Sequence, residues 1–231
     1  MPRQLPLPFA FHGNQNFDCF IDGPNRQIVE SLKAMATRDH GESFLFLHGG
    51  AGLGKSHLLL ATCDAAARHG ARTFYLPLHE MRQKSPIILD GLEENTLVCI
   101  DDIDRIAGDA EWERALFHLF NRLRERSHRL VVGNRLSPQH FAIQLPDLIS
   151  RLRWGLTLEL KELGDADKIA ALQLKARLHG LDLPLEVGQF LLSHYPRDLP
   201  SLWKMLETLD YASLSEQRKL TIPFLKSRLP G

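Results

Sequence analysis

Cysteine is scarce in this chain of 231 residues: there are three, Cys19, Cys63 and Cys99, and they lie far apart. No CxxC pair and no HExxH occurs, so structural zinc lacks its usual ligand spacing, and buried free thiols in a reducing compartment are the plainer reading. An excess of charge of one sign is missing too. Lys plus Arg and Asp plus Glu each number 28, for a formal net charge of zero. That argues against a domain built mainly to grip nucleic acid, because such affinity comes mostly from cations neutralising phosphates. No uncharged apolar run nears the ~18 residues of a membrane span, and Pro6 and Pro8 interrupt what would be the apolar region of a secretory leader. The eleven histidines are scattered and give no ligand pattern. Internal repeats and low-complexity tracts are lacking as well.

What is present is an ordinary globular mixture, 44% hydrophobic and 24% charged, enough for one large domain or two modest ones with a sizeable core. Short apolar runs alternate with amphipathic ones. FLFLH (44–48), TFYLPL (73–78), TLVCIDDI (96–103), RLVVGN (129–134) and GLTLEL (155–160) read as strands. The third is continuously apolar before its aspartates, as a strand buried on both faces should be. Between them lie helical patterns. GPNRQIVESLKAMATRDHG has Pro24 near its first turn and Gly41 past its end. SHLLLATCDAAARHG is closed by Gly70. In AEWERALFHLFNRLRER, Trp112, Leu116, Leu119, Phe120 and Leu123 share one face. This alternation predicts an α/β domain with a parallel five-stranded sheet covered on both faces. After Leu163 the pattern becomes all-helical. GDADKIAALQLKARLHG, capped by Asp165 and stopped at Gly180, is followed by two or three further helices. The predicted organisation is a tail over 1–15, an α/β domain over 16–162 and a small helical domain over 163–231.

GGAGLGKS, Gly49 to Ser56, satisfies G-x-x-x-x-G-K-[ST] with a strand before it and a helix after it. Such a match arises by chance in on the order of one chain in a hundred of this length, and the strand–loop–helix context removes most of those. The chemistry explains each residue type. Gly49, Gly50, Ala51, Gly52, Leu53 and Gly54 let backbone N–H groups face phosphate oxygens, and the helix that begins there adds its positive end. Lys55 supplies a point charge to the β- and γ-phosphates, and the Ser56 hydroxyl can ligate Mg²⁺. The cofactor-binding set runs on to His57. Asp101 and Asp102, at the end of the apolar strand, can hold the Mg²⁺ shell and act on water. Asp102 is one methylene shorter than the glutamate many ATPases place there, which weakens the expectation of brisk turnover of the chain's own nucleotide. A solvated aspartate pair capping the next helix is the plainer alternative.

With these motifs the core resembles the AAA+ ATPases, and within them the bacterial replication initiator DnaA. FLFLHGGAGLGKSHLL and LVCIDDI are similar to its nucleotide motifs, and SRLRWGLTLEL to its arginine-finger segment. The resemblance covers about residues 16 to 215. The chain ends near KLTIPFLKSRLPG, so the initiator's helix-turn-helix domain is expected to be missing, and the short tail is expected to replace its N-terminal helicase-interacting domain. LPDLISRLRWG, DKIAALQLKARLHG and QRKLTIPF are similar to the DnaA-related regulators that work with the DNA polymerase sliding clamp. The resemblance implies an AAA+ P-loop core with a helical lid, bound ADP (or ATP) and Mg²⁺. It implies a regulator that promotes hydrolysis of DnaA-bound ATP, more than an enzyme with its own substrate, with weak intrinsic ATPase activity. It places Arg151 as a finger donated in trans, Asn134 at the sensor 1 position and Arg197 at the sensor 2 position. By position, Phe20 and Ile21 face the adenine, although core packing accounts for them almost as well.

The hexamer QLPLPF (4–9) resembles the clamp-binding peptides of polymerases and their associates. Gln4 offers an amide that donates and accepts at a pocket rim. Leu5, Leu7 and Phe9 can fill apolar pockets, while Pro6 and Pro8 hold the segment extended and reduce the entropy lost on docking. A tail folded on its own core is the alternative. The expected partners are therefore the sliding clamp and DnaA, with a homodimer also among the expectations. The basic stretch NRLRERSHR (121–129) reads as a solvated helix face, making nucleic-acid contact secondary. The expected location is cytoplasmic and nucleoid-associated through the clamp. The rival reading is a self-sufficient AAA+ remodeller or helicase loader driven by its own ATP turnover.

Overall fold

The computed structural model describes residues 15–37, 43–81, 84–140, 142–216 and 219–229. The chain divides into two compact units. The first contains residues 15–17, Gln27–Gly50 and Gly54–Leu160; the second contains Asp18–Arg26, Ala51–Leu53 and the chain from Lys161 onward.

In the first unit, α1 (Arg26–Thr37), β1 (Phe44–His48), α2 (Lys55–Arg68), β2 (Thr73–Pro77), β3 (Leu97–Asp101), α3 (Ala110–Glu125), β4 (Arg129–Asn134), α4 (Pro146–Leu152) and β5 (Leu156–Glu159) follow in order. All strand pairs are parallel and the sheet order is β2-β3-β4-β1-β5. Every residue of β3 and β4 is buried, which is why their centres, residues 97–100 and 130–132, read as apolar runs. On the edge strand β5, half-buried Leu156 and Leu158 alternate with exposed Thr157 and Glu159. The amphipathic stripe of α3 lies on the sheet: Phe120 meets Phe44 edge to face at 5.0 Å, a contact of about 0.5–1.5 kcal/mol beyond its burial.

Several boundaries differ from the sequence expectation. Leu78 leaves β2 for a short 3₁₀ turn, and β3 stops at Asp101 because Asp102 takes a left-handed backbone, φ +55°. The first helical pattern opens as a 3₁₀ turn at Gly23–Asn25 before α1 begins. Its expected end at Gly41 lies outside the described residues. The seven-residue α4 was not expected as a helix.

The second unit is helical: α5 (Asp165–Leu178), α6 (Leu185–His194), α7 (Leu199–Glu216) and α8 (Ile222–Arg228) surround a core that includes Leu172, Leu191, Leu206 and Phe224. Asp165 is the first helical residue of α5 rather than its cap; Gly164 takes the cap position and no side chain caps it. The acid still favours the helix through the macrodipole. Residues 18–26 join this unit through Asn25, whose buried amide donates to Lys161 O at 2.9 Å and accepts from Lys161 N–H at 2.8 Å.

Gly155, just before β5, tests how closely the first unit is packed. A Cβ there would stand 2.3 Å from Phe44 O and 2.5 Å from the Phe44 ring. Gly155→Ala is therefore expected to destabilise the protein by at least about 1–3 kcal/mol, measured by urea denaturation; an unchanged midpoint would show that β5 can shift freely against β1.

Candidate nucleotide site

The C-terminal edge of a parallel sheet is where open α/β folds hold ligands. Here the sheet order sets β4 between β1 and β3. The turn after β1, the end of β3 and the end of β4 therefore lie side by side, with His48 in register with Asn134. Gly49 and Gly50 leave β1, and α2 starts at Lys55 behind Gly54, which caps it with φ +100°, a conformation glycine adopts without penalty. The loop tip, Ala51, Gly52 and Leu53, belongs to the second unit.

Lys55 is buried, and its ammonium donates to Gly49 O at 2.8 Å and Gly50 O at 2.7 Å. Burial pulls its pKa down, while the carboxylates of Asp101 and Asp102 pull it back up. Asp101 is wholly buried. Burial raises its pKa, opposed by hydrogen bonds from Ser56 and Tyr75 and from the Asp102 N–H, while the Asp102 charge pushes the same way as burial. The Tyr75 hydroxyl donates to Asp101 Oδ2 at 3.0 Å, and Asp102 N–H donates to Oδ1 at 3.0 Å. Burial, then the neighbouring Asp101 charge, raise the pKa of Tyr75. Space for the carboxylate exists because residue 133 has no side chain: a Cβ on Gly133 would come within 2.6 Å of Asp101 Oδ1.

Asp102 turns away from Asp101, and its Oδ2 meets His79 Nδ1 at 2.9 Å. Asn134 is fully buried; its Oδ1 accepts from Asp104 N–H at 3.2 Å and its amide donates to Leu136 O at 2.7 Å. His57 is a structural neighbour: Nε2 meets Asn16 O at 2.8 Å. The structure thus brings Lys55, Ser56, Asp101, Asp102 and Asn134 to one edge. Among the described residues no group of three or more His, Cys, Asp or Glu side chains could hold a metal. No described helix is long and apolar enough to cross a membrane.

Other candidate residues stand elsewhere. Phe20 and Ile21 are half-buried in the second unit. Arg197, also there, donates to Leu192 O at 3.0 Å and Asp165 Oδ2 at 3.4 Å, beside an open cavity of about 420 Å³. Arg151 is near the end of α4. Among the described residues three arginines are buried or half-buried. Arg122 pairs with Glu93, Arg129 donates to Met35 O, and Arg151 alone has no acceptor. Gln4, Leu5, Leu7, Pro8 and Phe9 lie outside the described residues. In the basic stretch, Arg122 and Arg126 pair with Glu93 and Glu94, and Arg124 stacks on Trp154 at 4.6 Å. Cys63 and Cys99 are buried free thiols, and Cys19 is a half-buried one.

Sequence reasoning missed Tyr75, His79 and Gly133. Tyr75 looks like an ordinary strand aromatic; the available signal was a hydroxyl two residues from the strand end that pairs with Asp101. Nothing marked His79 or Gly133.

His57 yields a pH dependence. Burial lowers its pKa, outweighing the bond to Asn16 O. The folded state therefore favours the neutral ring, and the unfolded state binds more protons below the ordinary value of 6.5. This contribution is complete above that value and is lost as pH falls through the lower folded value. His57→Gln is expected to flatten that part of the stability curve in urea titrations from neutral to mildly acidic pH. An unchanged slope would exclude His57 as its source.

A family profile for the bacterial DnaA ATPase domain matches residues 12–159, and one for the lid domain of Hda matches residues 165–229. Among solved structures, domain III of the Thermotoga maritima replication initiation protein DnaA superposes with a TM-score of 0.84 at 21% identity, covering 94% of this chain and 95% of that one. AMPPCP-bound DnaA from Aquifex aeolicus gives 0.76 at 22% identity, covering 89% and 68%. The Holliday junction branch migration motor RuvB of Thermotoga maritima gives 0.71 at 16%, covering 93% and 70%. At such identities these likenesses speak for the fold, an AAA+ sheet followed by a helical lid.

Proposed function

The chain belongs to the family of the bacterial DnaA ATPase domain and carries an Hda-type lid, and from that premise we propose that it is a nucleotide-bound regulator of replication initiation that promotes hydrolysis of ATP held by DnaA. The observation that carries this reading is the contrast between Lys55 and Arg151. Lys55 is held within its own loop, whereas the half-buried Arg151 has no acceptor among the described residues. A guanidinium left without an acceptor suits an anion brought by another molecule. Placed against charge developing on a foreign γ-phosphate, such a finger is worth about 10³–10⁵ in rate.

The chain's own site then holds ADP, or ATP before turnover. Backbone N–H groups from Gly49 to Gly54 and the start of α2 cradle the phosphates, with Lys55 on their outer oxygens. Asn134 and Arg197 respond to the γ-position, and Phe20 and Ile21 face the base. Ser56 and Asp101 are hard-oxygen donors already hydrogen-bonded to each other, and they would hold Mg²⁺, which neutralises phosphate charge when bound. Asp102, short and engaged by His79, is poorly disposed to orient water, which supports slow intrinsic turnover. Residues 1–15 serve as the tail, and Gln4, Leu5, Leu7, Pro8 and Phe9 dock the regulator on the sliding clamp.

The test mixes the purified protein with DnaA–ATP and clamp loaded on DNA. The parent is expected to accelerate hydrolysis, and Arg151→Ala to lose about 10³-fold or more of that acceleration. An Arg151→Ala protein as active as the parent refutes the finger. Removing residues 4–9 is expected to abolish clamp pull-down; retained binding assigns the hexamer another role. The complete phosphate loop also favours a second reading, an ATPase driven by its own turnover. Rapid DNA-stimulated hydrolysis by the protein alone would establish that reading, and negligible turnover with co-purified ADP would support the first.

A further inference from the structure

Glu113 is a second wholly buried carboxylate, and the phosphate site makes no use of it. It stands near the start of α3, three residues before Leu116 and seven before Phe120, on the stripe that faces the core. Burying a carboxylate is tolerable only when its lone pairs are filled, and here backbone N–H groups fill them. Oε1 accepts from Gly108 N–H at 2.7 Å and Gln144 N–H at 3.1 Å; Oε2 accepts from Gln144 N–H at 2.9 Å and Leu145 N–H at 2.8 Å.

The two segments it joins are the informative part. Gly108 lies in the connection that leaves β3 through Asp102 and Asp104, which Asn134 also holds by accepting from Asp104 N–H. Gln144 and Leu145 immediately precede α4, the helix of Arg151. That helix has no side-chain cap of its own at its start. Leu145 occupies its cap position without a side-chain acceptor, and Pro146 has no N–H to anchor. Leu148 and Leu152 are buried, and Leu145 and Ile149 pack against the same core, so apolar contacts select which face turns inward, while the polar start of the helix is held by Glu113.

We propose that Glu113 is the positioning residue for Arg151, fastening the finger helix to the connection that carries Asp102 and Asp104. The guanidinium is thereby set from the same frame as the chain's own nucleotide-facing residues. This rests on the reading of Arg151 as a finger used in trans. Aim matters because a displacement of about 1 Å at a catalytic group can cost ~100-fold in rate.

The experiment uses the full chain, with Glu113→Gln and, should that variant not fold, Glu113→Asp, which keeps the charge but shortens the reach. In the assay with clamp on DNA and DnaA–ATP, Glu113→Gln is expected to lower kcat by about 100-fold while KM stays within about twofold and ADP binding is retained. Combined with Arg151→Ala it should add no further loss. Amide exchange at Gln144, Leu145 and along α4 should quicken by about tenfold or more, with β3 and β4 unchanged. Unaltered exchange in α4, or full kcat beside a defective Arg151→Ala, overturns the proposal. So does exchange that quickens equally through β3 and β4, since that marks a residue serving stability alone. An Arg151→Ala protein with full activity removes the trans-finger reading and this inference with it, and is recognised by the single variant before Glu113 is touched.

Discussion

A lysine and an aspartate are kept in the dry interior at one edge of the sheet, and the rest of the first unit is arranged around that constraint. Burial disfavours the charged form of both Lys55 and Asp101, and each softens the penalty on the other or has neighbours that do. The ammonium is satisfied by two carbonyls of its own loop. The carboxylate is satisfied by Tyr75, Ser56 and the next N–H in the chain. Asp102 must turn left-handed directly after β3, and residue 133 must lack a side chain. None of this serves the fold for its own sake. A core of this size could be finished with apolar residues at the strand ends, and replacing buried charge in that way is often neutral or stabilising.

Much of the architecture was legible in the sequence, for identifiable reasons. β3 and β4 declared themselves because a strand buried on both faces tolerates hardly any polar residue until it reaches the sheet edge, so Asp101 marks both the end of the strand and the start of the site. α3 was legible from its stripe. Its exception, Glu113, was passed over because a lone glutamate within a charged helix looks like solvent-facing charge, although its spacing from Leu116 and Phe120 puts it on the buried face. Asn25 was invisible for a different reason. Beside Pro24 it reads as part of the first helical turn, and only the fold reveals that its amide replaces a backbone partner for Lys161. α4 was too short to show a period, and it begins with a proline that reads first as an interruption.

The arginines separate structural from available charge. A fully exposed guanidinium is satisfied by water and its lack of a protein partner signifies nothing. A half-buried one has lost part of its hydration and ordinarily recovers it from an acceptor. Arg122 pairs with Glu93 and the buried Arg129 donates to the Met35 carbonyl, although Arg122 Nε and Arg129 Nη2 are buried without a hydrogen bond. Arg151 is half-buried without a protein acceptor among the described residues, and none of its nitrogens is shut away from solvent, so the guanidinium is free to meet an anion. The helix holding it is anchored at its start by a carboxylate whose own burial is fully compensated. A secured helix presenting a cation without an internal partner leaves that cation available to an acceptor on another molecule.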